Sequence, residues 1–278
     1  MISKLFFWLF FLIPCFSMGQ PNCNVYLWKG DTLQYEACEL SYKFNDYYQF
    51  DMKGIAILDS CIAICPYYAY AIYEKGVVYL KAGNFLGWDK YINLAVELDP
   101  LTYLTSRASC RGKFFADYAG AIRDIDLLDS LVSYDIGHTH DGTYHLLAYQ
   151  ALCYRQLGKY HKAIELFEAR IASDPDFIGF YDYLHLGVCY QKLNDHDSAL
   201  ACFQKQIDHN SIAEGYYYAA ISYKKIGEEE KYEQALGESL RLLKIKQNMV
   251  DPYHVLEDEI FLMDIESLKA SDKALHNN

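Results

Sequence analysis

Two histidines and an aspartate near the middle of the chain have side chains that could bind a metal ion. His138, His140 and Asp141 lie within four residues of one another, and imidazole and carboxylate groups are suitable ligands for zinc or nickel. No further histidine or cysteine follows at a spacing typical of a metal site. Gly137 and Gly142 flank these residues and indicate a loop, and surface loops are rich in polar residues. We therefore predict a solvated loop, with no metal site and no other cofactor.

Nine cysteines raise two further kinds of chemistry, disulfide bonding and nucleophilic catalysis. Cys23 and Cys38 could close a loop of about 15 residues, and such a disulfide would contribute about 3 kcal/mol to stability. The sequence leaves open whether they form it. Cys61 and Cys65 lie four residues apart on one predicted helical face, where the Cα geometry does not suit a disulfide.

Sequence motifs of the common hydrolases and nucleotide-binding enzymes are missing. There is no Gly-x-Ser-x-Gly, no glycine-rich phosphate loop and no His-Glu-x-x-His. The acidic run at residues 228–230 is more typical of a solvated turn than of catalytic carboxylates. We therefore expect a protein that is not an enzyme, and a Cys/His enzyme is the least favoured alternative.

The charge and the composition narrow the class of partner. The formal net charge is −12, and 52% of the residues are hydrophobic. Nucleic acids and anionic lipids are bound through lysine and arginine, so an acidic chain is poorly suited to either. With only six prolines, the chain is typical of a helical protein that buries a large apolar surface. We expect a protein or peptide partner and no nucleic acid.

The first 19 residues have the pattern of a signal peptide. Lys4 precedes the apolar run Leu5–Ile13, which is about half the length that spans a membrane, and small residues lead up to Gly19. We predict cleavage after Gly19 and export to the periplasm or out of the cell. Lipoprotein processing at Cys15 is the less favoured alternative, because Pro14 precedes it where a small residue is expected. No later stretch predicts insertion as an integral membrane protein.

A repeat organises the rest of the chain. Pro66 and Pro100 lie 34 residues apart, and each closes a helix-like segment. One copy has small residues, aromatics, a turn glycine and a closing proline at Ala151, Tyr154, Gly158, Ala163, Phe167 and Pro175. Two further copies contain Gly187, Tyr190, Asn194, Ala199 and Phe203, and then Ala220, Tyr223 and Gly227. This pattern resembles the tetratricopeptide-repeat (TPR) family over roughly residues 35–247.

The resemblance implies an all-α fold, a right-handed superhelical solenoid of about five TPR helix hairpins. We expect the signal peptide at 1–19, an N-terminal segment with a degenerate first helix at 20–45, the solenoid at 46–250, and a capping helix with a frayed tail at 251–278. The capping helix should begin in the run Val255–Met263, because an uncapped solenoid exposes an apolar face. About eight residues beyond the repeat length fall within 132–143. Most cysteines occupy packing positions of the repeats and should be buried thiols: Cys61, Cys110, Cys153, Cys189 and Cys202.

In the TPR family the first helix of each repeat lines the concave face, where ligands bind. Carried over to this chain, the resemblance implies a strip of tyrosines and cations on that face. The strip consists of Tyr70, Tyr73, Lys81, Arg107, Lys113, Tyr149, Arg155, Tyr181, His185, Lys192, Tyr217 and Lys224. The lysine and asparagines with which some family members clamp chaperone tails are absent, since Tyr73 and Val77 occupy two of those places.

A strip of this chemistry suits a peptide segment that is acidic or ends in a free carboxylate. The simpler alternative is that, with 27 tyrosines, many must fall on any face, and that lysines near helix ends complement the helix dipole. We expect a protein- or peptide-binding scaffold in the cell envelope or outside the cell, with its ligand on the concave face. A structural subunit of an envelope complex that uses its edges or convex face is the alternative.

Overall fold

A computed structural model of the chain describes residues 22–252 and 254–276, with side chains up to residue 270. The predicted signal peptide, including Cys15, lies outside these residues. The chain divides into two compact units, Met1–Leu98 and Asp99–Asn278. In the described residues of both units, helices joined by turns and loops make up the fold, and no strand is present beyond an isolated bridge between His138 and His145.

In the first unit, helices pack in pairs, α2 on α3 and α4 on α5. Asp31 and Asp51 begin α2 and α3, where each carboxylate accepts a backbone N–H of the first turn. The helices are α1 (Asn24–Trp28), α2 (Thr32–Ser41), a 3-10 turn (Tyr42–Asp46), α3 (Met52–Ile64), α4 (Ala69–Lys81) and α5 (Phe85–Leu98).

Four cysteines lie in one core cluster of this unit. Cys23 and Cys38 form a disulfide, and both are buried. Cys61 and Cys65 are free thiols, fully buried in the same cluster beside Leu58. The disulfide attaches the short helix α1 to α2, and each of the four sulfurs fills apolar space.

The second unit contains four helix hairpins, and each packs on the next. Asp99 caps α6 and Pro100 occupies its first turn, where a missing N–H costs nothing. The helices are α6 (Pro100–Phe115), α7 (Tyr118–Leu131), α8 (Leu146–Gln156), α9 (Tyr160–Ser173), α10 (Asp182–Lys192), α11 (His196–His209), α12 (Ala213–Lys225), α13 (Glu229–Lys244) and α14 (Leu262–His276).

Small residues allow the two helices of a hairpin to cross closely. A Cβ built on Gly187 of α10 would lie 2.5 Å from the ring of Phe203 on α11, so only glycine fits at this position. Ala163 and Ala199 are fully buried at the corresponding crossings. Gly158 turns the chain between α8 and α9 with φ of 72°, and Asn194 holds the equivalent left-handed position between α10 and α11 with φ of 61°.

The loop between α7 and α8 spans residues 132–145, where the repeat spacing places the extra residues. Its tip is not simply solvated, because Thr139 is buried and accepts the backbone N–H of Tyr144. His140 contacts Ser106, and Asp141 pairs with Lys113, both on α6. Over the described residues, no group of three or more His, Cys, Asp or Glu side chains is arranged to hold a metal ion.

The capping helix starts later than the helical run predicted from Val255 to Met263. The helix begins only at Leu262, and residues 256–259 form a turn in which Asp258 has a φ of 68°. This left-handed conformation cannot continue a right-handed helix. We call the described residues 249–252 and 254–261 the strap. α14 follows it and packs against α13, and Ile260 and Ile265 join the core formed by α12 and α13.

None of the described helices is both long enough and apolar enough to cross a membrane.

Candidate functional site: the first-helix face of the second unit

The first helices of the four hairpins, α6, α8, α10 and α12, form what we call the first-helix face. A buried polar contact on this face joins Arg155 of α8 and His185 of α10 to the carboxylate of Asp258 in the strap. The Arg155 guanidinium and the His185 Nδ1, 2.6 Å away, both contact Oδ2 of Asp258. All three side chains are at least nine-tenths buried. A carboxylate is therefore held between two helices of neighbouring hairpins.

The protonation pattern of this cluster follows from its contacts. His185 can donate to a carboxylate only through a protonated Nδ1, so in the neutral ring Nε2 accepts the hydroxyl of Tyr144, 3.3 Å away. Burial alone would raise the pKa of Asp258, but the charge of Arg155 and the hydrogen bond from His185 hold it at about 2. The carboxylate stays ionised at any physiological pH.

Tyr144, in the loop before α8, packs against His185 of the Arg155–His185–Asp258 cluster. Its ring lies 5.5 Å from His185 and 6.2 Å from Tyr149, measured between ring centroids. Burial, followed by the charge of Asp258, raises its pKa well above the ordinary value for tyrosine. The hydroxyl therefore keeps its proton. His145, the next residue, begins α8 by accepting the N–H of Leu147 at its Nδ1 and thereby fixes the position of Tyr144.

A buried glutamate on α12 holds the other end of the strap. Glu214 is fully buried, and its Oε1 accepts the backbone N–H of Met249 at 3.0 Å. Burial raises its pKa to about 7, although backbone amides that include those of Met249 and Ile260 oppose the increase. Its Oε2 has no hydrogen-bond partner among the described residues. The carboxylate thus binds the strap through main-chain groups at the cost of its own desolvation.

Helices α6 and α8 contact the middle of the strap. Lys113 of α6 lies between Asp141 of the long loop and Asp251 of the strap, with 3.6 Å from its Nζ to the Asp251 carboxylate. The ring of Phe114 lies 6.2 Å from that of His254. Gln156 of α8 donates to the carboxylate of Glu257. All four first helices therefore contact this one non-helical segment.

A cavity of about 340 Å³ remains open between the strap and helices α6 and α8. Aromatic side chains dominate its wall, and Lys113 and Glu257 supply opposite charges. The wall includes Phe114, Tyr118, Tyr144, Tyr149, His254 and Leu256. This volume lies within the range of sites that bind small molecules or side chains.

The predicted strip is therefore only partly a free surface. Arg155, His185 and Tyr149 are buried, and the Tyr149 hydroxyl donates to the carbonyl of Ser109 at 3.0 Å. Arg107 makes two hydrogen bonds, of 3.0 and 2.7 Å, with Asp124 of α7 in its own hairpin. These side chains, together with the engaged Lys113, do not offer their polar groups to solvent.

Other members of the strip remain accessible. Lys192 at the end of α10 is exposed, and Tyr181 is half-buried, with its ring 6.3 Å from that of His185. Tyr217 is half-buried and packs on the core of α12 and α13, and the ammonium of Lys224 lies 5.1 Å from the centroid of the Tyr232 ring.

Three members of the predicted strip belong to the first unit. Tyr70 packs half-buried on the core of that unit, and its ring lies 5.9 Å from that of Tyr68. Tyr73 is half-buried. Lys81 donates to the side chain of Gln49 at 2.6 Å.

Sequence reasoning did not find Tyr144, Glu214 or Asp258. Asp258 stands in the acidic run at residues 257–259, and the apolar residues Leu256 and Ile260 that flank this run are the signal that could have suggested a bound segment rather than a helix.

The cysteines near this face are packing residues. Cys153 and Cys189 are free, buried thiols, and burial raises the pKa of each to about 12. Burial also raises the pKa of Cys202 to about 11 and that of Cys110 to about 12. A thiol becomes nucleophilic when its pKa is lowered, so these environments act against reactivity.

Comparison with known families and structures agrees with the hairpins. Tetratricopeptide-repeat models match residues 69–100, 146–177 and 183–210. These segments correspond to the hairpins α4–α5, α8–α9 and α10–α11. No curated protein matches the chain.

Several solved structures share the fold at low sequence identity. PilW, described as a widely conserved type IV pilus biogenesis factor, has a TM-score of 0.55 at 11% identity, covering 80% of this chain and 90% of its own. PilF of Pseudomonas aeruginosa has a TM-score of 0.54 at 14% identity, covering 90% and 94%. YrrB, described as a TPR protein with an unusual peptide-binding site, has a TM-score of 0.50 at 14% identity, covering 67% and 92%.

The predicted fold class is thereby confirmed. The described residues of both units form α-helical hairpins, and three of these hairpins match tetratricopeptide-repeat models.

Proposed function

We propose that this protein is a non-enzymatic scaffold that binds a protein or peptide partner on its first-helix face, the face that lines the concave side in the TPR family. One observation carries the proposal: four successive first helices hold a single non-helical chain segment, the strap. They do so through side chains that bind a carboxylate and through Glu214, which binds a main-chain amide. Peptide recognition uses these same two kinds of contact.

The place of action in this proposal is the cell envelope or the exterior of the cell. The signal-peptide pattern of residues 1–19 and the Cys23–Cys38 disulfide support it, because disulfides persist in oxidising compartments. Fractionation of cells that express the tagged chain tests this part. Recovery of an uncleaved chain from the cytoplasm would contradict it.

The scaffold proposal is tested by a matched pair of surface lysines. A partner is first recovered from the envelope fraction, then purified, and its dissociation constant for the full chain is measured. Lys192 is exposed on the first helix α10, and Lys162 lies on the second helix α9 with its side chain 43% exposed. We expect Tyr181→Ala combined with Lys192→Ala to raise the dissociation constant at least tenfold, and Lys162→Ala to leave it within twofold.

The reverse pattern would favour the structural subunit that uses its convex face. Arg155→Ala is a poor test of partner binding, because Arg155 already pairs with Asp258 and its loss would leave that carboxylate buried and unpaired.

A further inference from the structure

The strap contacts the first-helix face as a peptide ligand would. Its buried side chains alternate: Leu256 is 3% exposed, the Asp258 side chain 9% and Ile260 2%. Between them, Glu257 and Glu259 are only partly buried. The amide of Glu259 donates to the carbonyl of Leu256 and closes a tight turn. The strap therefore presents one carboxylate from a turn, with a large aliphatic anchor two positions before and two after.

These contacts are poorly explained as a structural cap alone. Asp258 adopts a left-handed backbone conformation, with φ of 68°, which is unfavourable for any residue other than glycine and tolerated best by Asn and Asp. Burying Arg155 and Asp258 together removes two charges from water, and apolar side chains of similar size would often stabilise a fold equally well. The arrangement is suited to recognition of a carboxylate at this position.

The strap also fills the face incompletely. A cavity of about 340 Å³ lies open between the strap and helices α6 and α8, beside the contacts that Lys113 and Gln156 make with the strap. Apolar side chains of the strap and of the start of α14 remain in solvent, since Val255 is 64% exposed and Met263 66%. Release of the strap withdraws Ile260 from the core cluster of α12 and α13, but it breaks no contact between the two helices of a hairpin.

We infer that the surface beneath the strap is the binding site for a segment of a partner protein that carries an aspartate in a tight turn, with a large aliphatic residue two positions before and two after it. The strap occupies this site in the free protein and competes with the partner. The inference rests on the proposed function and adds the chemistry of the ligand to it. Because the strap is tethered, its effective concentration is high, and the partner binds only in proportion to the open fraction.

The test uses the full chain and a fluorescent peptide with the sequence of residues 254–262. Asp258→Asn in the protein weakens the strap, and we expect the peptide to bind this variant at least tenfold more tightly than the wild type. Replacing the aspartate of the peptide by asparagine should weaken binding at least tenfold, and adding Arg155→Met to the protein should abolish it. Asp208→Asn, an exposed change on the second helix α11, should behave like the wild type.

A second variant keeps the test decisive if Asp258→Asn does not fold. Ile260→Ala removes an apolar anchor and keeps Asp258, and it should also gain affinity for the peptide. Hydrogen exchange of residues 254–261 reports whether the strap opens in each variant, and light scattering reports the mass of the protein.

Three outcomes would overturn the inference. In the first, the strap opens and no peptide binds. In the second, the strap stays closed in both variants. In the third, a dimer exchanges its straps, so that the occupant is a second copy of the chain. The proposed scaffold function is judged separately, by whether changes at Tyr181 and Lys192 weaken partner binding.

Discussion

Arg155 and Asp258, which are 103 residues apart in the chain, form a buried ion pair that attaches the strap to α8. His185 of the neighbouring hairpin contacts the same carboxylate oxygen. One carboxylate thus joins two hairpins that are also linked by a hydrogen bond from the Tyr190 hydroxyl of α10 to Glu168 of α9. Electrostatic and hydrogen-bonding contacts hold the strap at this point, between the buried side chains of Leu256 and Ile260.

Helices α10 and α11 cross so closely at Gly187 that any larger residue at this position should destabilise the protein. Gly187→Ala would place a Cβ 2.5 Å from the rigid ring of Phe203, and we expect a loss of about 2 kcal/mol in the free energy of unfolding. Gly237→Ala, on the exposed face of α13 with no atom within 4 Å of the new Cβ, should instead stabilise the protein by about 0.5–1 kcal/mol. Urea denaturation of both variants checks the pair. Equal effects of the two changes would contradict the close crossing.

Glu214 makes the stability depend on pH. Burial raises the pKa of the Glu214 carboxyl from 4.5 to about 7. Between these two pH values the carboxyl keeps its proton in the folded protein but has lost it in the unfolded chain. The stabilisation relative to the ionised form is therefore lost as the pH rises through 7. Glutamine cannot ionise, so the unfolding free energy of Glu214→Gln should rise relative to that of the wild type as the pH increases. We expect this rise to be on the order of 2 kcal/mol from pH 5 to pH 8. Denaturation at the two pH values, with Glu233→Gln on exposed α13 as the control, measures the gain. If the difference in unfolding free energy between Glu214→Gln and the wild type is the same at both pH values, the carboxyl is not buried as described.

The thiol inventory tests the first unit. The number of cysteines that react with a thiol reagent is counted in denaturant, once without reductant and once after reduction. Because Cys23 and Cys38 form a disulfide, the first count should be lower by two. In the native protein the buried thiols such as Cys153 should react slowly, since burial raises their pKa. Replacing both Cys23 and Cys38 by serine should cost about 3 kcal/mol of stability. A rapidly reacting native thiol would reopen the Cys/His enzyme alternative.

The repeat could be predicted from the sequence because its signals are local. Gly158 and Asn194 mark turns, and Gly187 and Ala199 mark crossings, and each signal lies within one hairpin. The position of the extra loop followed from the spacing of the same residues.

The occupied site could not be predicted in the same way, because its partners are distant in sequence. The run at residues 255–263 has the apolar spacing of a helix, yet contacts with Arg155, His185 and Glu214 hold it as a strap. Nothing in the local sequence around Arg155 indicates that its charge is already paired. The sequence therefore predicts the cations of the strip on a ligand-binding face, whereas Lys113, Arg155 and Arg107 are engaged within the chain.

The coupling between Arg155 and Asp258 tests most directly whether the first-helix face binds a carboxylate of the strap. A double-mutant cycle compares the unfolding free energies of Arg155→Met, Asp258→Asn and the double variant, with the exposed pair Lys162 and Glu165 as a matched control. We predict a coupling energy of at least about 1.5 kcal/mol for the buried pair, against about 0.5 kcal/mol or less for the exposed one. If the changes at Arg155 and Asp258 are additive, the carboxylate is not held by this face.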